Sequence, residues 1–470
     1  MSERLFHGDA LPTTSNATLT EFERNVPEWN LGGRDSKAPD MPALLVVSPH
    51  PDDEVLGAGA LIGTAARSGI PVHVLAVTDG NSSHPPEIIS PDRLGEIRAA
   101  ESLAALTELS SLSTDPEYRI QRHGLQLPDG EVSTHEADLV EHIAEALAQL
   151  PAGTWVAAPL RMDGHPDHQA AGRAAHRALA RFPTARLVEY TVWLWQHTTP
   201  GSHPDVPWTA ARTISVDDQL YAARDRAMDA FRSQISTDYG VPNDRAGANP
   251  EDLVVIPRHV RERMMRRHQI VFPQANAGFS TIYQGTNDPW SVTERWYEKR
   301  KYAITMAMLP KPRFRRAYEP GCSVGVLTQQ LAQRCDVLIA TDIVPAALEA
   351  ASARVSAPHV EFRLAGIDNW PAGQFDLIVI SELAYYLSEE DFAATLHHAA
   401  ASLDEDGVLI AADWRHEIAG AYRNAHMVHR ALAQYPGWTR HASYEDDDVL
   451  IDVYGPPQPS IATTEFLSGG

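Results

Sequence analysis

Apolar residues along the chain fall into short blocks separated by stretches in which they recur at helical spacing. Residues 44–47, 72–77, 155–160 and 187–195 read as strands, being short, apolar and rich in β-branched or aromatic side chains. Between and after them, residues 56–68, 93–109, 138–150, 169–180 and 222–234 carry apolar positions three and four apart and read as helices. Gly69 ends the first of these and Pro151-Ala152-Gly153 the third, and residues 251–272, which include His259, read as a closing helix and strand. A second series follows, with strands at 314–320, 337–342, 375–380 and 407–412 and a helix at 327–334. Strand-to-helix alternation of this kind predicts an α/β fold built on mainly parallel sheets.

At 470 residues the chain is too long for one ordinary core. The expected division is an extension over 1–40, a domain over 41–275, a second domain over 276–456 and a tail over 457–470, with the linker near 274–278. The extension is polar and is expected to wrap the surface or stay loose, with a short helical turn in 21–29 broken at Pro27. Sixty-two acidic residues against 39 basic ones give a net charge of −23, which argues against nucleic acid or an anionic membrane as partner. The two cysteines, Cys322 and Cys335, have no metal or redox spacing and suit a reducing cytoplasm. No apolar run approaches membrane-spanning length, and the amino terminus lacks the apolar centre of a signal peptide. A soluble cytoplasmic protein is expected, of undetermined oligomeric state.

Chemistry is concentrated where strands stop. The run at 44–47 leads through Ser48 and Pro49 into His50-Pro51-Asp52-Asp53-Glu54, and in open α/β sheets ligands bind at the carboxyl ends of strands. Three carboxylates so close repel one another, and a divalent cation relieves that repulsion. A similar loop, Arg161-Met162-Asp163-Gly164-His165-Pro166-Asp167-His168, follows the run at 155–160. Together the loops supply three side-chain ligands and leave a position for water, as a catalytic zinc site requires. Asp79 and His84 follow the second strand, facing a substrate or forming an ordinary turn. Tyr190, Trp193, Trp195 and His197 crowd the end of the fourth, where aromatic rings either stack on a sugar or join the core. Arg98 and Glu101, three apart on a helix, read first as a solvated pair.

PHPDDE at 49–54 and GHPDH at 164–168 resemble the PIG-L/LmbE-type N-acetyl-sugar deacetylases. The resemblance implies that His50, Asp53 and His168 bind the metal, that Asp52 is the general base, that His165 stabilises the oxyanion or donates a proton, and that Asp167 orients an imidazole. It also brings Arg98 near the substrate, and Ser233-Gln234 matches a family pattern at the edge of the fold.

In the second half, Glu319-Pro320-Gly321-Cys322-Ser323-Val324-Gly325 forms a glycine loop between strand and helix, and Asp342 ends the next strand about twenty residues on, where ribose hydroxyls are held in such folds. The loop lacks the GxGxxG spacing that cradles a dinucleotide pyrophosphate, and Glu319 suits a cationic aminoacyl group better than a phosphate. EPGCSVGVLT, TDIVPAAL and FDLIVISELAYYL resemble class I methyltransferase motifs, with serine at 323 in place of the middle glycine of the commonest loop. NDPW at 287–290 and WYEKRKYA at 296–303 narrow the likeness to nodulation-type N-methyltransferases of deacetylated chitooligosaccharides. The resemblance implies that Glu319, Gly321, Ser323, Gly325 and Asp342 bind S-adenosylmethionine, with Asp368 near the adenine. It also implies that Trp290, Tyr297 and Arg300 belong to a cover over the site; Glu382, Tyr386 and His416 are candidates for positioning an amine.

The expected architecture is two Rossmann-like three-layer domains, each a mainly parallel sheet covered by helices. The expected function is a bifunctional enzyme that removes an N-acetyl group from an amino-sugar-containing small molecule with zinc or another divalent metal, then N-methylates the freed amine. The alternatives are a deacetylase with a non-catalytic S-adenosylmethionine-binding module, a carbohydrate-binding protein with a structural metal, or two activities on unrelated substrates.

Overall fold

The structure is a computed structural model that describes residues 14–29, 31, 41–237, 254–274, 277–418 and 420–463. The chain divides into two compact units, Met1–Ala277 and Gly278–Gly470. Ala275 and Asn276 of the expected linker lie outside the described residues, as do 1–13, 32–40 and 464–470.

The first unit is built on strands β1 (Leu44–Ser48), β2 (Val72–Ala76), β3 (Gln121–Gly124), β4 (Trp155–Pro159), β5 (Arg186–Tyr190), β6 (Arg212–Ser215) and β7 (His268–Gln274). They lie in the order β3-β2-β1-β4-β5-β7-β6, parallel from β3 to β5, with β7 antiparallel to both its neighbours. Leu44 and Val46 of β1 enter one apolar core, and Leu45 and Val47 the core on the opposite face. Burial on both sides explains why β1 is a continuous apolar run rather than an alternating one. The helices Gly59–Arg67, Pro91–Ser110 and Asp218–Asp229 close the first core, and Glu136–Ala148 with Pro166–Ala178 close the second.

Three local expectations change. The helix expected over 56–68 is two helices, Asp53–Leu56 and Gly59–Arg67. Around the break Gly57 lies so close to Tyr190 that a Cβ would meet the ring at 2.1 Å. The strand expected over 187–195 stops at Tyr190, and Leu194–His197 is a helical turn. The cause is the Asp163 carboxylate, which accepts the backbone N–H groups of Val192, Trp193 and Leu194 at 2.9–3.1 Å and so removes them from any ladder. In the extension, Ser15 caps a helix over Asn16–Asn25. Its Leu19 is buried with Trp195 and Phe272, and its Glu23 pairs with Arg266, so this part wraps the unit rather than staying loose.

The second unit repeats the plan with β8 (Phe314–Pro320), β9 (Cys335–Asp342), β10 (Val360–Leu364), β11 (Phe375–Ser381), β12 (Leu403–Trp414), β13 (Thr439–Glu445) and β14 (Val449–Gly455). The order is β10-β9-β8-β11-β12-β14-β13, with β14 antiparallel to β12 and β13. Leu377 and Val379 face a core shared with the helices Trp296–Met308 and Val326–Leu331, whereas Ile378 and Ile380 face one shared with Glu389–Ser402 and Ala425–Ala433. Cys322 and Cys335 are buried and unpaired. Among the described residues no helix is long and apolar enough to cross a membrane.

Candidate functional site

At the carboxyl ends of β1 and β4 three donor atoms converge. Asp53 Oδ2 lies 3.2 Å from His50 Nδ1 and 3.1 Å from His168 Nε2, and the two nitrogens are 3.3 Å apart. Ligands about 2.0–2.1 Å from a tetrahedral zinc stand about 3.3–3.4 Å from one another, so the triangle has the size of one face of such a site. Each residue reaches it for a local reason. His50 follows β1 where Pro49 and Pro51 end the strand, Asp53 opens the short helix after it, and His168 lies in the first turn of Pro166–Ala178. Gly172 lets that helix lie against β4, since a Cβ there would meet the Pro159 carbonyl at 2.4 Å.

The outer nitrogens of the two imidazoles face carboxylates, which fixes their tautomers. His168 Nδ1 lies 2.7 Å from Asp163 Oδ2, and His50 Nε2 lies 3.2 Å from Asp129 and 3.4 Å from Asp167. Protons held on those outer atoms would leave Nδ1 of His50 and Nε2 of His168 to a cation that displaces the inner protons. Burial works against charge on both rings, but the surrounding carboxylates outweigh it, raising His168 to about 9 and His50 well above the ordinary range. Burial would likewise raise Asp53, yet His168 and His50 hold it far below the usual carboxylate range. A polar cluster so charged, at 0–2 % exposure for Asp53 and His168, suits a cation. Asp167 accepts the N–H groups of Gly130 and Val132 at 2.8 and 3.2 Å, so it ties the 129–132 loop to His50, while Asp163 contacts His168.

Asp52 lies beside the triangle with φ of 125°, a left-handed conformation costly for a residue with a Cβ. Its N–H bonds Glu54, and Arg98 donates to its Oδ2 at 3.2 Å and to the carbonyls of Pro51 and Gly80. Burial raises Asp52 to about 8 against the pull of Arg98, with Asp53 and Glu54 adding to the rise. Arg98 and Glu101 are therefore no solvated pair: both are buried, and Glu101 is bonded to Ser233. His165 Nδ1 accepts the Asp167 N–H at 3.2 Å, which leaves the proton on Nε2, and burial with His168 and His50 nearby lowers its pKa to about 2.

These groups open onto a pocket whose other lining residues include Ser83, Asp129, Trp193, Gln234 and Ile256. Trp195 is not among them. It is buried at 7 % exposure against Phe22 and Trp208, so its ring is core, and Trp193 takes the place at the pocket. Asp79 is bonded to Arg122 and Gln126, and His84 to Ser83; neither lines the pocket. Asp129 and Gln234 received no individual role from the sequence. Asp129 has only the Pro-Asp-Gly signature of a turn, and its approach to His50 is a tertiary event.

In the second unit the loop after β8 takes positive φ at Gly321 (71°), Ser323 (50°) and Gly325 (76°). Ser323 thus adopts the conformation of the glycine it replaces, held by its N–H to Asp342 at 2.9 Å and its hydroxyl to Tyr283 at 2.9 Å. Asp342 also accepts the Val344 N–H at 2.9 Å. Glu319 is buried and pushed up to about 8 by that burial, and its Oε2 has no hydrogen-bond partner among the described residues. Asp368 is exposed on the turn Ile367–Asn369.

Glu382, at φ 55° beyond β11, accepts from Lys301 at 2.7 Å, from the Trp414 N–H at 3.1 Å and from Tyr385. Tyr297 packs edge-on against Trp414, and Tyr386 against Phe279. Trp290 packs with Tyr283, Val324 and Val344 beside the glycine loop, whereas Arg300 pairs with Asp446 and Tyr444. His416 is exposed and bonded to Asp448 at 2.8 Å, in ring contact with Trp414.

Residues 45–179 match the GlcNAc-PI de-N-acetylase (PIG-L) family and residues 283–433 the nodulation protein S (NodS) family. Nodulation protein S of Sinorhizobium fredii is 30% identical over 178 residues, 35% of this chain and 81% of that protein. The 1D-myo-inositol 2-acetamido-2-deoxy-alpha-D-glucopyranoside deacetylase of Streptomyces griseus is 28% identical over 259 residues, 44% of this chain and 80% of that enzyme. A solved structure described as a putative methyltransferase from Pseudomonas syringae is 42% identical, covering 34% of this chain and 99% of its own, with a TM-score of 0.31. The chain spans from 44% to 81% of the length of the nodulation proteins S it matches. By its second unit the chain belongs to the nodulation protein S family, and its first unit carries the match to the GlcNAc-PI de-N-acetylase family over residues 45–179.

Proposed function

We propose that the chain is a bifunctional enzyme that deacetylates an N-acetylated amino sugar at its first unit and N-methylates the freed amine at its second. The observation that carries this reading is the convergence of His50, Asp53 and His168 beside Asp52. Their donor set and tautomers fit zinc or a similar divalent ion, which when bound polarises an acyl oxygen and acidifies water. Asp52 takes the proton of the attacking water, and the positive charges of Arg98 and of the triangle's occupant favour the carboxylate form that a base needs. His165, kept neutral by burial, presents Nε2–H to the oxygen on which charge develops. Asp163 and Asp167 hold the metal-binding loops, and the leaving amine takes the proton that Asp52 has carried.

The second step follows from the first. An acetamide nitrogen is a poor nucleophile because its lone pair is delocalised, so deacetylation creates the group that a methyltransferase alkylates. S-adenosylmethionine supplies an electrophilic methyl group. Glu319, Gly321, Ser323, Gly325, Asp342 and Asp368 are assigned to its binding, and Oε2 of Glu319, which has no partner among the described residues, suits its cationic amino group. Glu382, braced by Lys301 and Trp414, orients the acceptor amine with help from Tyr386 and His416, since methyl transfer needs chiefly alignment and exclusion of water. A cytoplasmic setting suits the two free cysteines.

The test is the full chain, metal-replete, with a panel of N-acetylated amino sugars, aminoglycosides and nucleoside sugars, with and without S-adenosylmethionine. Acetate release followed by mass gain of one or more methyl groups on the deacetylated product is expected. No acetate from any member overturns the first half, and an unmethylated amine product overturns the second.

A further inference from the structure

Gln234 is fully buried, yet it lines the pocket that His50, Asp52 and His165 open onto. Its backbone is fixed at both ends, the N–H bonding the Phe231 carbonyl at 2.9 Å and the carbonyl accepting the Ile256 N–H at 2.8 Å. Its side chain is fixed by a relay with one solution. The Glu101 carboxylate accepts both the N–H and the Oγ–H of Ser233, at 2.8 and 2.6 Å. Its proton committed, Ser233 Oγ can only accept, and Gln234 Nε2 lies 2.9 Å from it and 3.5 Å from Ser83 Oγ. Turning the amide over would set two acceptors against each other, so Nε2 stays on Ser233 and Oε1 is the other end. Among the described residues Oε1 has no hydrogen-bond partner.

A buried acceptor without a donor is destabilising, and one on the wall of an open pocket is satisfied by whatever donor a ligand brings. We propose that Gln234 is a specificity-determining residue whose Oε1 accepts a hydrogen bond from an O–H or amide N–H of the substrate. The inference rests on the deacetylase reading and adds to it a requirement for a donor. Sites built to hydrogen-bond a substrate group reject analogues lacking it far more strongly than apolar pockets reject a missing methylene, because the protein group is then left unpaired. Gln234 thus discriminates acylated sugars that present such a donor from acylated compounds of the same shape that lack it.

The test compares the metal-replete full chain with Gln234→Met, which keeps the side-chain length and removes both polar ends. Substrates are a methyl 2-acetamido-2-deoxyglucoside, its single deoxyfluoro analogues, which lack one hydroxyl proton each, and the 2-O-acetyl ester, which lacks the N–H. Gln234→Met is expected to lower kcat/KM on the parent sugar about tenfold or more. One analogue should show a similar loss on the unsubstituted enzyme and no further loss on Gln234→Met. A deoxyfluoro analogue in that role identifies a hydroxyl as the donor, and the ester identifies the amide. Unchanged kcat/KM for Gln234→Met overturns the proposal, and so do losses that multiply for every analogue. If the variant does not fold, Gln234→Leu and the analogue series on the unsubstituted enzyme decide; no analogue losing tenfold overturns it. Failure of the deacetylase reading is distinct, since the unsubstituted enzyme would then release no acetate from the parent.

Discussion

The two units share one topology and differ in what stands at its active end. Counted within each unit, both sheets run 3-2-1-4-5-7-6 with the seventh strand antiparallel to its neighbours. In both, the loops after the first and fourth strands meet at the point where strand order reverses, the general binding crevice of open α/β sheets. The first unit fills those loops with His50, Asp52, Asp53, Asp163, Asp167 and His168. The second fills them with Gly321, Ser323 and Gly325 after β8 and with Glu382 after β11. Side chains that must grip an ion replace backbone that must let a ligand approach. Even the strain is placed alike, on Asp52 in one unit and on Ser323 and Glu382 in the other. Fold therefore positions the chemistry here, and a handful of loop residues chooses it.

If that separation is real, each chemistry can be removed alone. The largest effect is expected from chelation or from His168→Ala, which should abolish acetate release and leave methyl transfer to a supplied free amine unchanged; product analysis on both substrates checks it. Next, Asp52→Asn should lower deacetylation about 10²–10⁴-fold while the protein keeps its metal, read by elemental analysis. Retained turnover would mean that another group takes the proton. The converse lesion is Gly325→Ala. Its φ of 76° is left-handed and the new Cβ would meet Ala351 at 2.9 Å, so S-adenosylmethionine affinity should fall about tenfold or more with acetate release intact. Calorimetric titration measures it, and a loss of both activities would break the comparison.

The sequence made the sheets legible where strands are buried on both faces. Residues 44–47 and 377–380 are continuous apolar runs because both faces are covered, and their periodicity needs no tertiary knowledge. It left β3, β6, β10, β13 and β14 unread: the first four are edge strands with exposed residues such as Glu361, Leu364, Thr439 and His441, and β14, though buried, has its apolar run broken by Asp452. The triangle residues were legible because two His-Pro-Asp loops each follow a strand. What supports them was not: Asp129 comes from a distant turn, and the capture of 192–194 by Asp163 converted an expected strand into a helical turn. Trp195 looked the same as Trp193 in the sequence, and the helix Asn16–Asn25 and Trp208 packing around it make it core. Arg98 looked like a surface residue because its partners, two carbonyls and Asp52, lie 18 or more positions away.

The smallest effect expected concerns a histidine held between carboxylates in the second unit, the counterpart by composition of the triangle in the first. His429 is buried with Nδ1 2.7 Å from Asp452 and Nε2 3.2 Å from Asp413; Tyr454 also bonds Asp452, and Arg440 lies 3.9 Å from it. Its ring nitrogens face one acid on β12 and one on β14, and its role is to join those strands to the helix Ala425–Ala433. Burial lowers its pKa, but Asp413 and Asp452 outweigh that and raise it to about 9. Because the folded value lies above the unfolded one of about 6.5, the imidazolium contributes its full stability below that pH and loses it as pH rises through 9. Replacing it by glutamine in His429→Gln should therefore cost about 1–3 kcal/mol at pH 6 and progressively less toward pH 9.5. The melting transition that S-adenosylhomocysteine shifts reports on this unit, and its midpoint should converge with that of the unsubstituted protein at high pH. A difference that does not change with pH would show that His429 acts through packing alone, and an effect on metal affinity would show that the two histidine clusters are not the separate devices their surroundings make them.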